Sequence, residues 1–184
     1  MEQKITYELV RKKVKNVSIR IRPEGVVIVT VPRYVSRAQA EAFVESRRDW
    51  ILDKLAELKH RQLIDVDEIA WNEEKERYLV SLLEEQYLRF ACYGIAFPKV
   101  TFRVMSSRYG SCNAVKGKIT LNKALADMPR ECGEYVAAHE LAHLVHADHS
   151  AAFYRVLDAV MPDHRERERR LREYRLCRRR NEYI

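Results

Sequence analysis

Residues 139 to 143 read His-Glu-Leu-Ala-His, and their types and spacing could build a metal site. On a helix, residues four positions apart share one face with Cβ atoms roughly 5–6 Å apart, so His139 and His143 could bind one cation together. Glu140 lies about 100° around the helix from His139, too far to be a third ligand but close enough to reach a water on the metal. Two imidazole ligands and a base from one helical turn are typical of zinc metalloproteases.

A third protein ligand is needed, because a catalytic zinc has three protein ligands and one open position. His146 and His149 are the candidates just beyond the motif. His146 returns to the face of His139, but about 10 Å further along the helix axis. If the helix ends near Ala147, the chain can fold back and present His149. We therefore favour His149 over His146.

A purely structural zinc is a further alternative. Such sites use four protein ligands, usually with Cys among them. Cys112 and Cys132 are the candidates for that fourth ligand. We favour the catalytic arrangement, since the motif also supplies the carboxylate of Glu140.

The N-terminal part, residues 1–64, is predicted to form a β-hairpin followed by a helix. Apolar and polar residues alternate from residue 17 to 21, and after a Pro-Glu-Gly turn an apolar run follows to residue 31. Ser36 followed by Gln39 is a capping-box pattern, and it predicts that a helix begins there and extends to about His60.

The catalytic domain is predicted to cover residues 65–184. An amphipathic helix with apolar residues from Tyr78 to Phe90 comes first. Residues 100–104 then alternate as a strand, and residues 118–121 indicate another short strand. The Ser-, Gly- and Asn-containing segment between these strands, residues 106–117, is predicted to be a loop.

Three helices are predicted after these strands. Pro129 is suited to the first turn of the helix that carries the motif, because its missing N–H would be unpaired there. Ser150 is the expected cap of a second helix, which should end before Pro162. Asp163 with Glu166 indicates one last capped helix, which is rich in Arg.

The composition is that of a folded domain without a membrane anchor. The 184 residues are 47% hydrophobic and 33% charged, and they contain only 5 Gly and 5 Pro. No apolar run approaches the roughly 18 residues that a transmembrane helix needs. The N-terminus lacks the features of a secretory signal, and the four cysteines form no Cys-x-x-Cys pair. We therefore expect a cytoplasmic protein with no membrane partner.

The net charge of +7 is concentrated near the C-terminus, where residues 163–184 contain nine Arg and five acidic residues. Such a segment could attract nucleic acid. The alternative, which we favour, is a solvated helix face on which acidic and basic side chains pair. The alternative function is therefore a nucleic-acid-associated binding module or protease that is anchored to DNA or RNA by the Arg-rich C-terminal helix.

Four blocks of sequence together resemble the YgjP-like metallopeptidase family, which belongs with the SprT-type zincins. They are residues 107–112, 117–122, 135–144 and 149–154, and the resemblance in order and spacing extends over residues 100 to about 175. The family usually has Trp at the positions of Tyr109 and Tyr154.

This resemblance implies an α+β, zincin-like metallopeptidase domain with a small β-containing N-terminal region. It implies that His139, His143 and His149 bind zinc, and that Glu140 is the catalytic base. It also implies that the strand of residues 118–121 borders the cleft as an edge, where Ile119 and Thr120 would contact an extended peptide.

The expected reaction is hydrolysis of peptide bonds in a peptide or protein substrate. Glu140 would take a proton from the attacking water and deliver it to the leaving amine. Arg108 and Tyr154 are candidates for a second group that stabilises the developing oxyanion and contacts the substrate. For Arg108 the alternative is an ion pair that holds the loop of residues 106–117.

Overall fold

The structure, a computed structural model, describes residues 5–178 of the chain. It contains helices and small sheets, which confirms the expected α+β class. The chain divides into two compact units, Met1–Leu63 and Ile64–Ile184. Within residues 5–178, every helix is too short or too polar to cross a membrane.

The first unit contains a three-stranded sheet rather than a hairpin alone. Strand β2 (Ser18–Ile21) pairs antiparallel with β3 (Val27–Pro32), and β1 (Glu8–Lys12) pairs parallel with the other side of β3. Gly25 has φ +90° in the turn between β2 and β3, a backbone conformation that L side chains rarely adopt. The central strand β3 supplies three buried valines, of which Val29 is representative.

The helical segment of the first unit is interrupted, so the single helix expected from Ser36 to His60 is wrong. Helix α1 (Arg37–Glu45) begins at the capping box of Ser36 and Gln39, as predicted. The helix ends at Ser46, which is its C-cap residue, and the hydroxyl of Ser46 donates to the carbonyl of Phe43. A serine that hydrogen-bonds to the backbone in this way competes with helix continuation. Helix α2 (Arg48–Lys59) follows.

In its described residues, the second unit contains five further strands and four further α-helices. In chain order they are β4 (Gln62–Asp65, of which only the last two residues belong to this unit), α3 (Glu73–Leu88), β5 (Lys99–Arg103), β6 (Gly110–Asn113), β7 (Lys118–Asn122), α4 (Arg130–Val145), α5 (Ala151–Val160), α6 (His164–Leu171) and β8 (Tyr174–Cys177). A three-stranded sheet has the order β5-β7-β6, with β7 parallel to β5 and antiparallel to β6. Strands β4 and β8 form a separate two-stranded sheet.

Two segments of this unit differ in part from the predicted secondary structure. Residues 106–117 are not entirely a loop, because they contain β6, whose Gly, Ser and Asn have low strand propensity and give no strand pattern. The expected last helix is present as α6 after Asp163, but the Arg-rich C-terminal segment is only partly helical, because α6 ends at Leu171 and the chain continues as β8. Residues 179–184 of that segment lie outside the described residues.

Helix α4 is the centre of the second unit. It contacts α3, α5, α6 and the sheet through β6, and nine of its sixteen residues are buried. Ala137, Ala138 and Ala142 are small enough for these elements to approach closely. Because these contacts fix the position of α4, they also fix the positions of the side chains that α4 carries.

Candidate active site

Helix α4 carries the first two histidines, and the chain that follows it carries the third. His146 has extended backbone angles (φ −135°, ψ 115°), and its N–H donates to the carbonyl of Ala142. The chain therefore leaves the helix at His146 and turns back before α5. This turn brings His149 beside His139 and His143, as the expected end of the helix near Ala147 requires.

The three imidazoles form one cluster. One ring nitrogen from each of His139, His143 and His149 lies within 4.8 Å of the other two. Nε2 of His149 is 3.0 Å from Nε2 of His139. Two nitrogens bound to one zinc at about 2.0–2.1 Å each must be less than roughly 4.2 Å apart, a condition that this pair meets.

A buried phenyl ring sets the spacing of the cluster. Phe153 in α5 is fully buried, and its ring centroid lies 5.0, 4.6 and 4.9 Å from those of His139, His143 and His149. The ring of His139 also lies 5.7 Å from that of Tyr135. Within residues 5–178, Nδ1 of His139 has no hydrogen-bond partner. On its Nδ1 side this imidazole is therefore oriented by packing rather than by a hydrogen bond.

The protonation states of His139 and His143 suit a metal ion. Burial, reinforced by the charges that His143 and His149 would carry, lowers the pKa of His139 to about 4. Burial also lowers the pKa of His143, whose Nδ1 lies 3.2 Å from the carbonyl of His146. Neutral imidazole is the form that binds a metal, and a hydrogen bond from Nδ1 leaves Nε2 as the ligand atom. The donor set therefore fits a divalent cation at neutral pH.

Glu140 is buried beside this cluster, with 6% of its surface exposed. Its carboxylate lies under β6, because a Cβ built on Gly110 would be 2.5 Å from Glu140 Oε1. Burial raises the pKa of Glu140 to about 7, and the positive charge of Arg108 acts in the opposite direction. A carboxyl group with such a pKa can both accept and release a proton near neutral pH.

Arg108 and Tyr154 both lie near the cluster without forming part of it. Arg108 is exposed, and its charge acts on Glu140. The ion pair considered for Arg108 is not found in residues 5–178; its loop is instead held by Asn122, whose amide donates to the carbonyls of Met105 and Arg108 at 2.7 and 2.8 Å. Tyr154 is 41% exposed, and its ring centroid is 6.5 Å from that of His149.

Ile119 and Thr120 do not lie on an edge strand, and this expectation is corrected. Strand β7 is the middle strand of its sheet, so its backbone is paired with β5 on one side and with β6 on the other. Ile119 is fully buried in the core. The hydroxyls of Thr120 and Thr101 are 2.9 Å apart across β5 and β7. Within the described part of the chain, the strand beside Glu140 that has one unpaired edge is β6.

The alternative ligands are not brought to the cluster. Within residues 5–178, the group of potential metal ligands contains three histidines and includes neither His146 nor a cysteine. Cys132 is buried on α4, and Cys112 lies in β6 near Glu140, where burial and that carboxylate raise the pKa of its thiol to about 11. A protonated thiol is a poor metal ligand. The geometry therefore gives no support to a four-ligand structural site.

Sequence reasoning missed several residues that shape the site. Gly110 and Asn122 lie inside the sequence blocks that carry the family resemblance, which was the available signal. Phe153 also lies in such a block, but its apolar side chain suggested only a core residue. His164 is 1% exposed, and its Nε2 lies 2.8 Å from Asp158 Oδ1. The pattern of the chain gave no sign that His164 is buried.

Two arginines of α6 and Arg172, directly after the helix, take part in ion pairs. Arg167 pairs with Glu134 of α4 and with Asp163. Arg172 pairs with Glu168, and Arg170 pairs with Glu131 and Glu173. These pairs match the interpretation of a solvated helix face and give no support to a nucleic-acid interface on α6.

The His-Glu-Leu-Ala-His motif on α4, with the third histidine from the turn after it, defines an HExxH-type metallopeptidase site. The model of the family described as YgjP-like, metallopeptidase domain, matches residues 15–89 and 70–174. The chain belongs to this family.

A solved structure is also similar to part of the chain. It is the crystal structure of the metallopeptidase zymogen abylysin of Pyrococcus abyssi, at 29% identity over 50% of this chain and 90% of that chain, with a TM-score of 0.46. Among curated proteins, none matches the chain.

Proposed function

We propose that the protein is a zinc-dependent peptidase in which His139, His143 and His149 hold one zinc ion and Glu140 acts as general base. The observation that carries the proposal is the convergence of three imidazoles beside a buried carboxylate. Zinc is the metal that three neutral imidazoles and an open position favour in hydrolytic sites. Bound zinc would supply a Lewis acid that polarises a carbonyl and lowers the pKa of water.

Glu140 would accept a proton from water while the oxygen of that water bonds to the carbonyl carbon of the scissile peptide. It would then transfer this proton to the amide nitrogen as the C–N bond breaks, so that a carboxylic acid and an amine are formed. The raised pKa of Glu140 supports both steps, because a carboxylate of ordinary pKa would release the proton to the amine readily but accept it poorly.

The substrate we propose is an extended peptide. Strand β6 is at the end of its sheet, so one side of its backbone has no strand partner in the described part of the chain. A peptide that pairs with this edge would pass beside Glu140, because Gly110 of β6 contacts that side chain. Arg108 and Tyr154 are the candidates to stabilise the oxyanion, since both lie near the cluster and are solvent-accessible.

Metal content and peptide hydrolysis, measured together, test this proposal. We expect about one zinc per chain in the wild type and in Glu140→Gln, but hydrolysis of a casein digest only in the wild type. His143→Ala should lose both zinc and activity. Glu84→Gln replaces an exposed glutamate of α3 and should retain both. Hydrolysis by Glu140→Gln at the wild-type rate would show that the proposed mechanism is wrong.

A further inference from the structure

A polar depression lies on the face of the β5-β7-β6 sheet that points away from α4. Gly110 of β6 contacts Glu140 on the α4 face, so the next residue, Ser111, points to the other face. Its partner in β7 is Thr120. The depression has a volume of about 450 Å³ and is lined by three arginines (Arg103, Arg108 and Arg178) and by hydroxyls that include those two.

Among the described residues, one of the three arginines in this depression has a carboxylate partner. Arg178 pairs with Asp67 at 3.0 Å. For Arg103 and Arg108, residues 5–178 provide no carboxylate within ion-pairing distance. Two exposed guanidinium groups with neighbouring hydroxyls offer several hydrogen-bond donors, and guanidinium groups bind carboxylates or phosphates, often with two parallel hydrogen bonds each.

The depression adjoins the proposed peptide-binding edge. Arg108 is near enough to Glu140 for its charge to act on that carboxyl group, while its side chain also lines the depression. Side chains of an added strand alternate between the two faces of the sheet. If one residue of a peptide on β6 faces α4 and Glu140, its neighbour in sequence faces the depression.

We propose that this depression is a specificity subsite for an acidic side chain of the substrate, held by Arg103, an arginine of the depression that the proposed reaction does not use. The peptidase would accordingly prefer Asp or Glu at a position next to the residue that faces Glu140. This inference rests on the proposed function, because it assumes a peptide that is paired along β6. A carboxylate on a peptide is favoured over a long phosphate backbone, since the depression is local and Arg167 and Arg170 of α6 take part in ion pairs.

Cleavage-site profiling tests the preference. A diverse peptide library is digested with zinc-loaded wild type, Arg103→Gln and a control, Arg165→Gln, which removes an exposed arginine of α6. Mass spectrometry then gives the residue frequencies around each cleaved bond. In the wild type and the control, we expect Asp and Glu to be enriched about fivefold at one position, the size of one exposed charge pair. Arg103→Gln should lose this enrichment. Cleavage by the wild type without any acidic preference would overturn the subsite and leave the proposed function intact.

A binding measurement separates the subsite from catalysis. Two dye-labelled octapeptides that differ only in Glu against Gln are titrated by fluorescence anisotropy into zinc-loaded Glu140→Gln protein, with and without Arg103→Gln. The Glu peptide should bind about fivefold more tightly, with the difference lost in Arg103→Gln and reduced by salt.

The outcomes of the two measurements are distinguishable. If no peptide is cleaved by the wild type but the Arg103-dependent difference in binding is present, the proposed function fails and the acidic subsite stands. Equal binding of the two peptides overturns the subsite. Arg103-dependent binding of a 20-base-pair DNA duplex, with equal binding of the two peptides, would replace the inference with a nucleic-acid contact.

Discussion

Gly110 of β6 lies against Glu140 of α4 so closely that a Cβ at position 110 would be 2.5 Å from Oε1, 2.8 Å from Cγ and 2.9 Å from Cδ of that glutamate. Real Cβ atoms do not approach other atoms at such distances, so only glycine fits there without a shift. This contact joins the strand that we propose to bind the peptide with the residue that we propose as base. It also excludes solvent from one side of the carboxylate.

Gly110→Ala should therefore displace the carboxylate of Glu140 without removing it. We expect kcat/KM for peptide hydrolysis to fall about 100-fold, the lower range of what a general base contributes, while zinc content stays near one per chain. Steady-state kinetics and metal analysis of the purified variant measure both effects.

Gly133→Ala is the matched control for this variant. It introduces a Cβ that would lie 2.7 Å from Leu82 Cδ1 in the core, away from Glu140. It should lower thermal stability with little change in kcat per zinc-loaded molecule. Unchanged catalysis in Gly110→Ala would show that the position of this carboxylate does not limit the reaction.

Variants of two histidines that lie three positions apart, His146 and His149, test the identity of the third ligand. His149→Ala removes a nitrogen of the cluster, and we expect zinc affinity to fall by more than about 100-fold, since even the loss of indirect contacts to a metal site costs up to that factor. His146→Ala should retain zinc, because its ring is outside the cluster and its carbonyl, which lies near Nδ1 of His143, is unchanged. Competition with a chromophoric chelator measures both affinities. Equal affinities in the two variants would contradict the assignment of His149.

The part of the site that sequence could predict is the part that depends on local geometry. His139, Glu140 and His143 share one helical turn, so helix periodicity alone relates their side chains. His149 follows from where that helix ends, which can be inferred from the residues around Ala147. The four residues lie within ten positions of one another in the sequence, so local structure alone relates them.

The contacts that could not be predicted are non-local. The sequence pattern identified β7 as a strand but could not give the order β5-β7-β6, because alternation does not encode which strands are neighbours. The edge at Ile119 and Thr120 was implied by the family resemblance, and the pattern of the sequence could not correct it to β6. For the same reason, the contact of Gly110 with Glu140, thirty positions away, required the three-dimensional structure.

Asn122 is expected to hold the loop that carries Arg108. It is fully buried, its amide donates to the carbonyls of Met105 and Arg108, and its Oδ1 accepts from the N–H of Ala124 at 3.1 Å. Asn122→Ala would leave these buried backbone groups without partners, at a cost of about 1–3 kcal/mol for each group that water does not reach. We expect a clear decrease in the free energy of unfolding, measured by urea denaturation.

The control for this variant is Asn113→Ala, which removes a cap at the exposed end of β6, where Oδ1 accepts from the N–H of Lys116. Because these groups can bind water instead, the loss should be about 1 kcal/mol or less. If Asn122→Ala is no less stable than Asn113→Ala, the proposed anchoring of the loop is wrong.

The stability of the metal-free protein should depend on pH through Glu140. Its pKa rises from 4.5 to about 7 on folding, because burial disfavours the carboxylate. Between these values the folded state binds more protons than the unfolded state, so the contribution of Glu140 to stability falls as pH rises from about 4.5 to about 7. Glutamine cannot ionise and lacks this penalty. Chelator-treated Glu140→Gln should therefore gain up to about 3 kcal/mol relative to wild type between pH 4.5 and pH 8.

Urea denaturation of both proteins at several pH values measures this difference directly. The subtraction removes the opposite contribution of His139, whose lowered pKa makes both proteins more stable as pH rises from about 4 to 6.5. Glu84→Gln, at an exposed site, should show no comparable gain. In the presence of zinc the gain of Glu140→Gln should shrink, since the positive charge of the metal stabilises the carboxylate. A constant difference between wild type and Glu140→Gln across this pH range would mean that Glu140 is hydrated rather than enclosed by β6.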